Sequence, residues 1–332
     1  MDEGFVDRGG KSLSTVLVTG ITGFVGRALS LRLRSAGLQV RGVVRRTYAS
    51  VHRAVGSDIA IVTIPSINAE TDWTAALAGV DAVVHLAART HVTRERDQDP
   101  LQAYRSINVE GTEQLARSAA AAGVKRFIYL SSVKVNGEGR EEPYTELDAP
   151  APEDAYGISK GEAEQVLRRI GTETGMEVVI LRPPLVYGPG VKANFLRLMQ
   201  IVDRRIPLPF SRIQNKRSMI YLENLVDAIV TCSMRPEAAG KTYLVSDGED
   251  VSTPELIRWI AASLERRAYL FPVPEGVMRF AGNLIGRTDA MNRLLGSLTV
   301  NTAKIRNELN WSPPYTMDQG LKETAKWFKK QF

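Results

Sequence analysis

Cysteine is nearly absent from this chain. Cys232 is the single one, so no intrachain disulfide can form and stability must come from a core. The same scarcity fits a reducing compartment, and a cytoplasmic location is expected. Histidine is almost as rare. His52, His85 and His91 share no metal-ligand spacing and have no cysteine partners, so no metal is expected. Long apolar runs are missing too. None approaches the roughly 18–20 residues of a membrane span, and no membrane insertion is expected. The opening Met1-Asp2-Glu3-Gly4 does not resemble a secretory signal, and residues to about Ser12 read as a mobile tail. Blocks of one charge are absent as well. The net charge is +6, but lysine and arginine are spread along the chain without interleaved aromatics, so nucleic acid is not an expected partner. The small excess suits an anionic ligand such as a pyrophosphate.

What remains is an ordinary globular mix, 44% hydrophobic and 24% charged over 332 residues. That is enough for one large domain or two modest ones. Short apolar runs alternate with helical patterns. Thr15–Val18, Val40–Val44, Asp81–Leu86, Arg126–Leu130 and Glu177–Leu181 read as strands without polar alternation. Such strands are buried on both faces. Helical spacing follows over Gly26–Arg34, Asn108–Ala122, Pro152–Ile170 and Glu223–Ser233. Strand and helix in alternation predict an α/β fold, a Rossmann-type doubly wound parallel sheet with ligands outside the carboxyl ends of its strands. After Arg182-Pro183-Pro184 prolines and glycines cluster. The expected division is a dinucleotide-binding domain over 13–185, rejoined by about 216–246, and a smaller, discontinuous α/β substrate lobe over 186–332.

The first strand runs into Gly20-Ile21-Thr22-Gly23-Phe24-Val25-Gly26. In a strand–turn–helix context each glycine has a job. Gly20 permits the turn, Gly23 lets backbone approach a phosphate, and Gly26 lets the helix pack on the strand. The helix N-terminus then offers free N–H groups to a pyrophosphate. Gly20, Thr22, Gly23, Phe24 and Val25 are candidate cofactor contacts. Leu86, Ala87 and Ala88 would lie against the adenine. The second strand ends in Val44-Arg45-Arg46 rather than in an acid. Arginine there accommodates a 2′-phosphate, so NADP(H) is expected ahead of NAD(H).

Tyr156 and Lys160 stand one helical turn apart, and Ser131-Ser132 follows a predicted strand. A carbonyl that accepts a hydride needs a proton donor. Tyrosine titrates near 10, and an ammonium on the same helix face would lower that value. Tyr156 is the candidate proton shuttle, Lys160 tunes it and holds the ribose, and Ser132 orients the substrate. Gly157-Ile158-Ser159-Lys160-Gly161 also matches the hydrolase pattern G-x-S-x-G. That motif needs a strand and sharp turn before the serine, whereas Ser159 falls inside a predicted helix.

Taken together, Thr19–Gly26, Leu130-Ser131-Ser132, Tyr156–Lys160, Leu181-Arg182-Pro183 and Asn108-Val109-Glu110-Gly111-Thr112 resemble the extended short-chain dehydrogenase/reductase family, also called the NAD-dependent epimerase/dehydratase family. The resemblance runs from Thr15 onward. It implies a nucleotide-sugar enzyme, with a homodimer as the usual assembly. It also implies substrate contacts at Asn194 and Phe195, a phosphate-clamping Arg217, and a second clamp at Arg293. Departures narrow the choice. Val133-Lys134 stands where dehydratases carry Asp-Glu. Leu185 replaces an asparagine of many epimerases. Ser66-Ile67 replaces an adenine-side aspartate, and Arg45-Arg46 departs from tightly NAD-holding epimerases. Ser132–Glu138 most resembles bacterial enzymes of surface-polysaccharide synthesis. The expected activity is hydride transfer at C4 of a UDP-sugar. Reduction of a UDP-4-keto-6-deoxy-N-acetylhexosamine comes first, C4-epimerisation of UDP-glucose or UDP-N-acetylglucosamine is the alternative, and a non-catalytic dinucleotide sensor is a remote third.

Overall fold

Uninterrupted apolar sequence builds the centre of the molecule. The computed structural model describes residues 14–46, 51, 55–56, 59–90, 99–284 and 294–332; the expected tail lies outside them. Strands β1 (Thr15–Thr19), β2 (Gln39–Val44), β3 (Ala60–Thr63), β4 (Ala82–His85), β5 (Arg126–Leu130), β6 (Glu177–Arg182) and β9 (Thr242–Leu244) form a seven-stranded sheet in the order β3-β2-β1-β4-β5-β6-β9. Every pairing in it is parallel. Alternate residues of β1 serve opposite cores. Val16 and Val18 join Leu29 and Leu225 on one face, and Leu17 joins Leu115 and Leu167 on the other. This two-sided burial is why the strands lack polar alternation.

Helices cover both faces. They are α1 (Phe24–Ser35), the single turn α2 (Thr74–Leu77), α3 (Pro100–Arg105), α4 (Gly111–Ala121), α5 (Ala155–Thr174), α6 (Ala193–Asp203), α7 (Leu222–Met234), α8 (Thr253–Ser263), α9 (Glu275–Leu284), α10 (Ala303–Leu309) and α11 (Met317–Gln331). Strands β7 (Leu185–Tyr187), β8 (Arg217–Tyr221) and β10 (Asp250–Val251) make a second sheet in the order β10-β8-β7. From β1 the chain steps outward to β2 and β3, then crosses to β4 on the other side of β1. A crevice opens at that reversal, outside the carboxyl ends of β1 and β4.

Two helices differ from the sequence expectation for local reasons. α5 starts at Ala155 because the Asp154 carboxylate accepts the Gly157 N–H at 2.7 Å, and it ends where Gly175 turns left-handed at φ 76°. The predicted helix at Asn108 begins earlier, at Pro100, behind an Asp99 cap. A π turn over Ser106–Glu110 joins α3 to α4. Such wide turns often mark functional positions.

One buried pair locks α5 to the sheet. Arg182, the last residue of β6, donates from Nε and Nη2 to both Glu164 oxygens at 2.8 and 2.6 Å. Ser131 Oγ donates to the same carboxylate at 2.6 Å. Arg182 Nη1 donates to Asn136 at 2.9 Å. Arg182→Met should cost about 3–5 kcal/mol, because it leaves a buried carboxylate without its main partner. Urea unfolding measures this, and a cost below about 1 kcal/mol would mean that the pair is replaceable.

Candidate active site

The glycine turn is shaped by what has no room beside it. At Gly20 (φ 69°) a Cβ would lie 2.9 Å from the Ala87 nitrogen; at Gly26 it would lie 2.3 Å from the Gly20 oxygen and 2.7 Å from Ile21 Cα. β1, β4 and α1 therefore meet with backbone on backbone. Gly23 differs. A Cβ there would meet only the Gly20 oxygen, at 3.0 Å, and Gly23 caps α1 with no side chain. No acid stands in the first turn of α1. Exposed Thr22 and half-buried Phe24 and Val25 flank an open helix N-terminus. These residues fit a dinucleotide pyrophosphate.

A directed chain of hydrogen bonds fixes the neighbouring strand end. The Leu86 and Ala87 N–H groups donate to Thr19 Oγ1, each at 3.2 Å. The Thr19 hydroxyl, at 2.7 Å, is left to donate to His85 Nδ1. His85 Nε2 then donates to Thr112 Oγ1 at 3.0 Å, and that hydroxyl donates to the Asn108 carbonyl at 2.7 Å. Burial pushes His85 down to about 3, so the ring is neutral. His52 and His91 lie outside the described residues. Arg45 and Arg46 stand exposed directly beyond β2. Ile67 is packed close against Gly111 on α4.

Tyr156 and Lys160 occupy the first turns of α5, facing the end of β5. Lys160 is 1% exposed and its Nζ donates to the Leu130 carbonyl at 2.7 Å. The ammonium lies 4.2 Å from the Tyr129 ring centroid and 6.0 Å from that of Tyr156. Ser132 follows two residues after Leu130, half-buried, and its Oγ accepts the Lys134 N–H at 3.3 Å. Tyr104 from α3 meets the Tyr156 ring edge-on at 6.3 Å. Thus the three candidates for proton chemistry stand on adjoining elements at the carboxyl end of the parallel strands, where the glycine turn also emerges. Ser159, of the hydrolase-like pattern, is buried inside α5 and donates to the Tyr156 carbonyl at 2.8 Å. It has no strand before it and is no nucleophile elbow.

The electrostatics correct one expectation. Burial holds the Tyr156 phenol well above its ordinary value, with the Asp154 carboxylate and Tyr104 adding to it. Lys160 does not pull it down. Burial brings Lys160 itself to about 7, against the opposing pull of Glu164. Desolvation penalises the charged form of buried Lys160 and of half-buried Tyr156, and the ammonium is spent on a carbonyl.

The substrate-side candidates are scattered. Arg217 opens β8 and its Nη1 donates to the Gly296 carbonyl at 3.0 Å. Asn194 is exposed in the first turn of α6. The Phe195 ring is buried and stacked on Tyr187 at 5.5 Å, so only its main chain is left for a ligand. Arg293 lies outside the described residues. Glu164 escaped the sequence reading, and Thr19, Asn136 and Arg182 entered it only inside longer motifs, with no role of their own. One signal was present: Glu164 continues the stripe Tyr156, Lys160 at the next i+4 step.

Fold and site together define an α/β dinucleotide-binding enzyme of the tyrosine–lysine type. The model of the NAD dependent epimerase/dehydratase family matches residues 16–246, and the chain belongs to that family. It is 45% identical over 322 residues to a UDP-glucose 4-epimerase of Vibrio cholerae, covering 96% of each chain. It is 26% identical to an N-acetyl-alpha-D-glucosaminyl-diphospho-ditrans,octacis-undecaprenol 4-epimerase of Escherichia coli O157:H7, covering 94% of each. Among solved structures it is similar to a short-chain dehydrogenase/reductase superfamily protein of Agrobacterium tumefaciens with bound NAD. The TM-score is 0.74 at 25% identity, over 96% of this chain and 98% of that one. No helix among the described residues is long and apolar enough to cross a membrane.

Lys160 gives this site a pH signature. The unfolded chain keeps that proton up to about 10.5, while the folded chain releases it near 7. Between those values the unfolded state binds more protons, so this group makes stability rise with pH. Lys160→Met should flatten that rise and stabilise the protein at pH near 7. Urea midpoints of both proteins between about pH 6.5 and 9 measure it.

Proposed function

We propose that the protein inverts the C4 configuration of a UDP-sugar. The reading is carried by the 45% identity to a UDP-glucose 4-epimerase, which spans 96% of both chains. Val133-Lys134 in place of an acid pair after Ser132 supports it against dehydration. The glycine turn would hold a nicotinamide dinucleotide, which would supply hydride acceptance and hydride return at the sugar carbon. Tyr156 takes the proton of the C4 hydroxyl and later gives it back to the same oxygen. The Ser132 hydroxyl orients that oxygen, and Lys160, one helical turn on, is the proposed ribose contact. Exclusion of water by the buried setting keeps the keto-sugar unhydrated between the two transfers. No net oxidation results, so the cofactor need not leave.

Gly20, Thr22, Gly23, Phe24, Val25, Leu86, Ala87, Ala88, Tyr156 and Lys160 are the proposed cofactor contacts. Asn194, the Phe195 main chain and Arg217 are the proposed grip on the nucleoside diphosphate. Asn194 and Phe195 belong to the proposed lobe over 186–332, and Arg217 stands at the start of the segment, about 216–246, that rejoins the proposed domain over 13–185. A cytoplasmic homodimer is the proposed form.

A second reading has its own observation. Arg45 and Arg46 are exposed at the end of β2, where they suit the 2′-phosphate of NADP(H). An exchangeable NADPH would suit a C4 ketoreductase of a UDP-4-keto-6-deoxy-N-acetylhexosamine. Purified protein decides between the two. Interconversion of UDP-glucose and UDP-galactose, or of their N-acetyl forms, with retained NAD and no added reductant is the expected result. Stoichiometric NADPH consumption on the keto-sugar, without interconversion, would overturn it. Tyr156→Phe should lower kcat by about 10²–10⁴-fold while cofactor still binds. A dinucleotide sensor would be indifferent to that change.

A further inference from the structure

Lys134 follows the Ser132 turn and stands apart from the three proposed proton-handling residues. Its side chain is 14% exposed, and its ammonium donates to the carboxylates of Glu138 and Asp154. Asp154 is the N-cap of α5. Its other oxygen accepts the Gly157 N–H at 2.7 Å. The Lys134 main chain joins the same junction. Its N–H donates to Ser132 Oγ at 3.3 Å, and a Cβ on Gly157 would lie 2.9 Å from its carbonyl oxygen. One residue thus touches the proposed orienting serine and the first turn of the helix that carries the proposed proton shuttle.

Helix capping and proton transfer make opposite demands here. A carboxylate cap stabilises the helix start. The same charge, two residues before Tyr156, disfavours the phenolate. We propose that Lys134 is a positioning residue for Tyr156: clasped between Glu138 and Asp154, its ammonium offsets the capping charge and joins the Ser132 turn to α5. The proposal rests on Tyr156 being the proton-transfer group. Asp154 is second only to burial among the influences that raise the Tyr156 phenol. Among the described residues, Lys160 on its own helix, Tyr104 from α3 and Tyr129 from β5 also face that phenol. Arg89 lies over the Tyr104 ring at 5.4 Å. Lys134 contacts Asp154 through a direct ion pair.

The test reads Tyr156 itself, so it does not depend on the identity of the sugar. Difluorotyrosine brings phenols into a titratable range, and fluorine NMR resolves them. The full-length protein carries ten tyrosines, and the resonance missing from Tyr156→Phe is that of Tyr156. Lys134→Met should raise the Tyr156 midpoint by about one pH unit. Lys134→Arg should restore it. Adding Asp154→Asn to Lys134→Met should also bring it back, because asparagine caps without charge. In turnover of UDP-glucose the limb of the pH–kcat profile should move in the same direction. A midpoint that is equal in the wild-type protein and in folded Lys134→Met overturns the proposal. So does a shift that Asp154→Asn fails to reverse. Normal titration shifts with no turnover of any UDP-sugar would instead sink the epimerase reading and leave the Lys134 assignment standing.

Discussion

The active end of this molecule depends on one buried carboxylate. Glu164 receives both arms of Arg182 from β6 and the hydroxyl of Ser131 from the end of β5. It therefore fixes α5 against two neighbouring strands at the point where Ser132 begins its turn. It also acts on charge. Glu164 stands one turn beyond Lys160 and is the influence that opposes burial at that ammonium. Geometry and proton affinity at the proposed site are thus set by the same group. A bidentate arginine suits this duty, because its fork defines direction as well as distance.

Around that anchor Lys160 and His85 are buried, and Tyr156 and Ser132 are half-buried. Burial raises Tyr156, lowers Lys160 to about 7 and lowers His85 to about 3. All three shifts favour the neutral form, the signature of desolvation rather than of ion pairing. The neutral His85 works as a spacer with a fixed tautomer, relaying the position of the glycine turn to the π turn at Asn108. Asn108 in turn accepts the Arg89 N–H at 2.7 Å and donates to Ser159 Oγ at 3.0 Å, which sits within the Tyr156–Lys160 turn. Cofactor cradle and proposed proton shuttle are therefore connected through bonded side chains as well as through the sheet.

Much of this was legible before any coordinates. β1, β2, β4, β5 and β6 announce themselves because burial on both faces removes polar residues from them. The glycine turn and the Tyr156–Lys160 pair are encoded within single stretches of chain. What was not legible depends on distant partners. β3 has exposed ends and half-buried centres, so its sequence carries little pattern. β9 and β10 have three and two residues and exist only by pairing. Phe195 was expected to be a substrate contact, and Tyr187, eight residues earlier, takes its ring into the core, a packing that no local pattern announces. The sign of the Tyr156 shift was misjudged for the same reason. An i+4 lysine is visible in the sequence, whereas the rings of Tyr104 and Tyr129 beside the pair arrive from other elements.

The proposed trio does not by itself distinguish inversion from reduction, since both move a hydride at one carbon and a proton at its oxygen. The distinction lies in what is held and what is released. Inversion requires the cofactor to stay while a flat keto-sugar presents first one face and then the other. The diphosphate must then be gripped more tightly than the sugar. Arg217 suits a grip of that kind, since Gly296 fixes one arm of its guanidinium. Reduction requires the cofactor to leave after each turnover, which depends on the rim of its site. Arg45 and Arg46 stand at that rim, exposed and outside the buried network. On the proposed reading, residues far from the reacting oxygen choose the reaction, while the proposed trio Tyr156, Lys160 and Ser132 serves either.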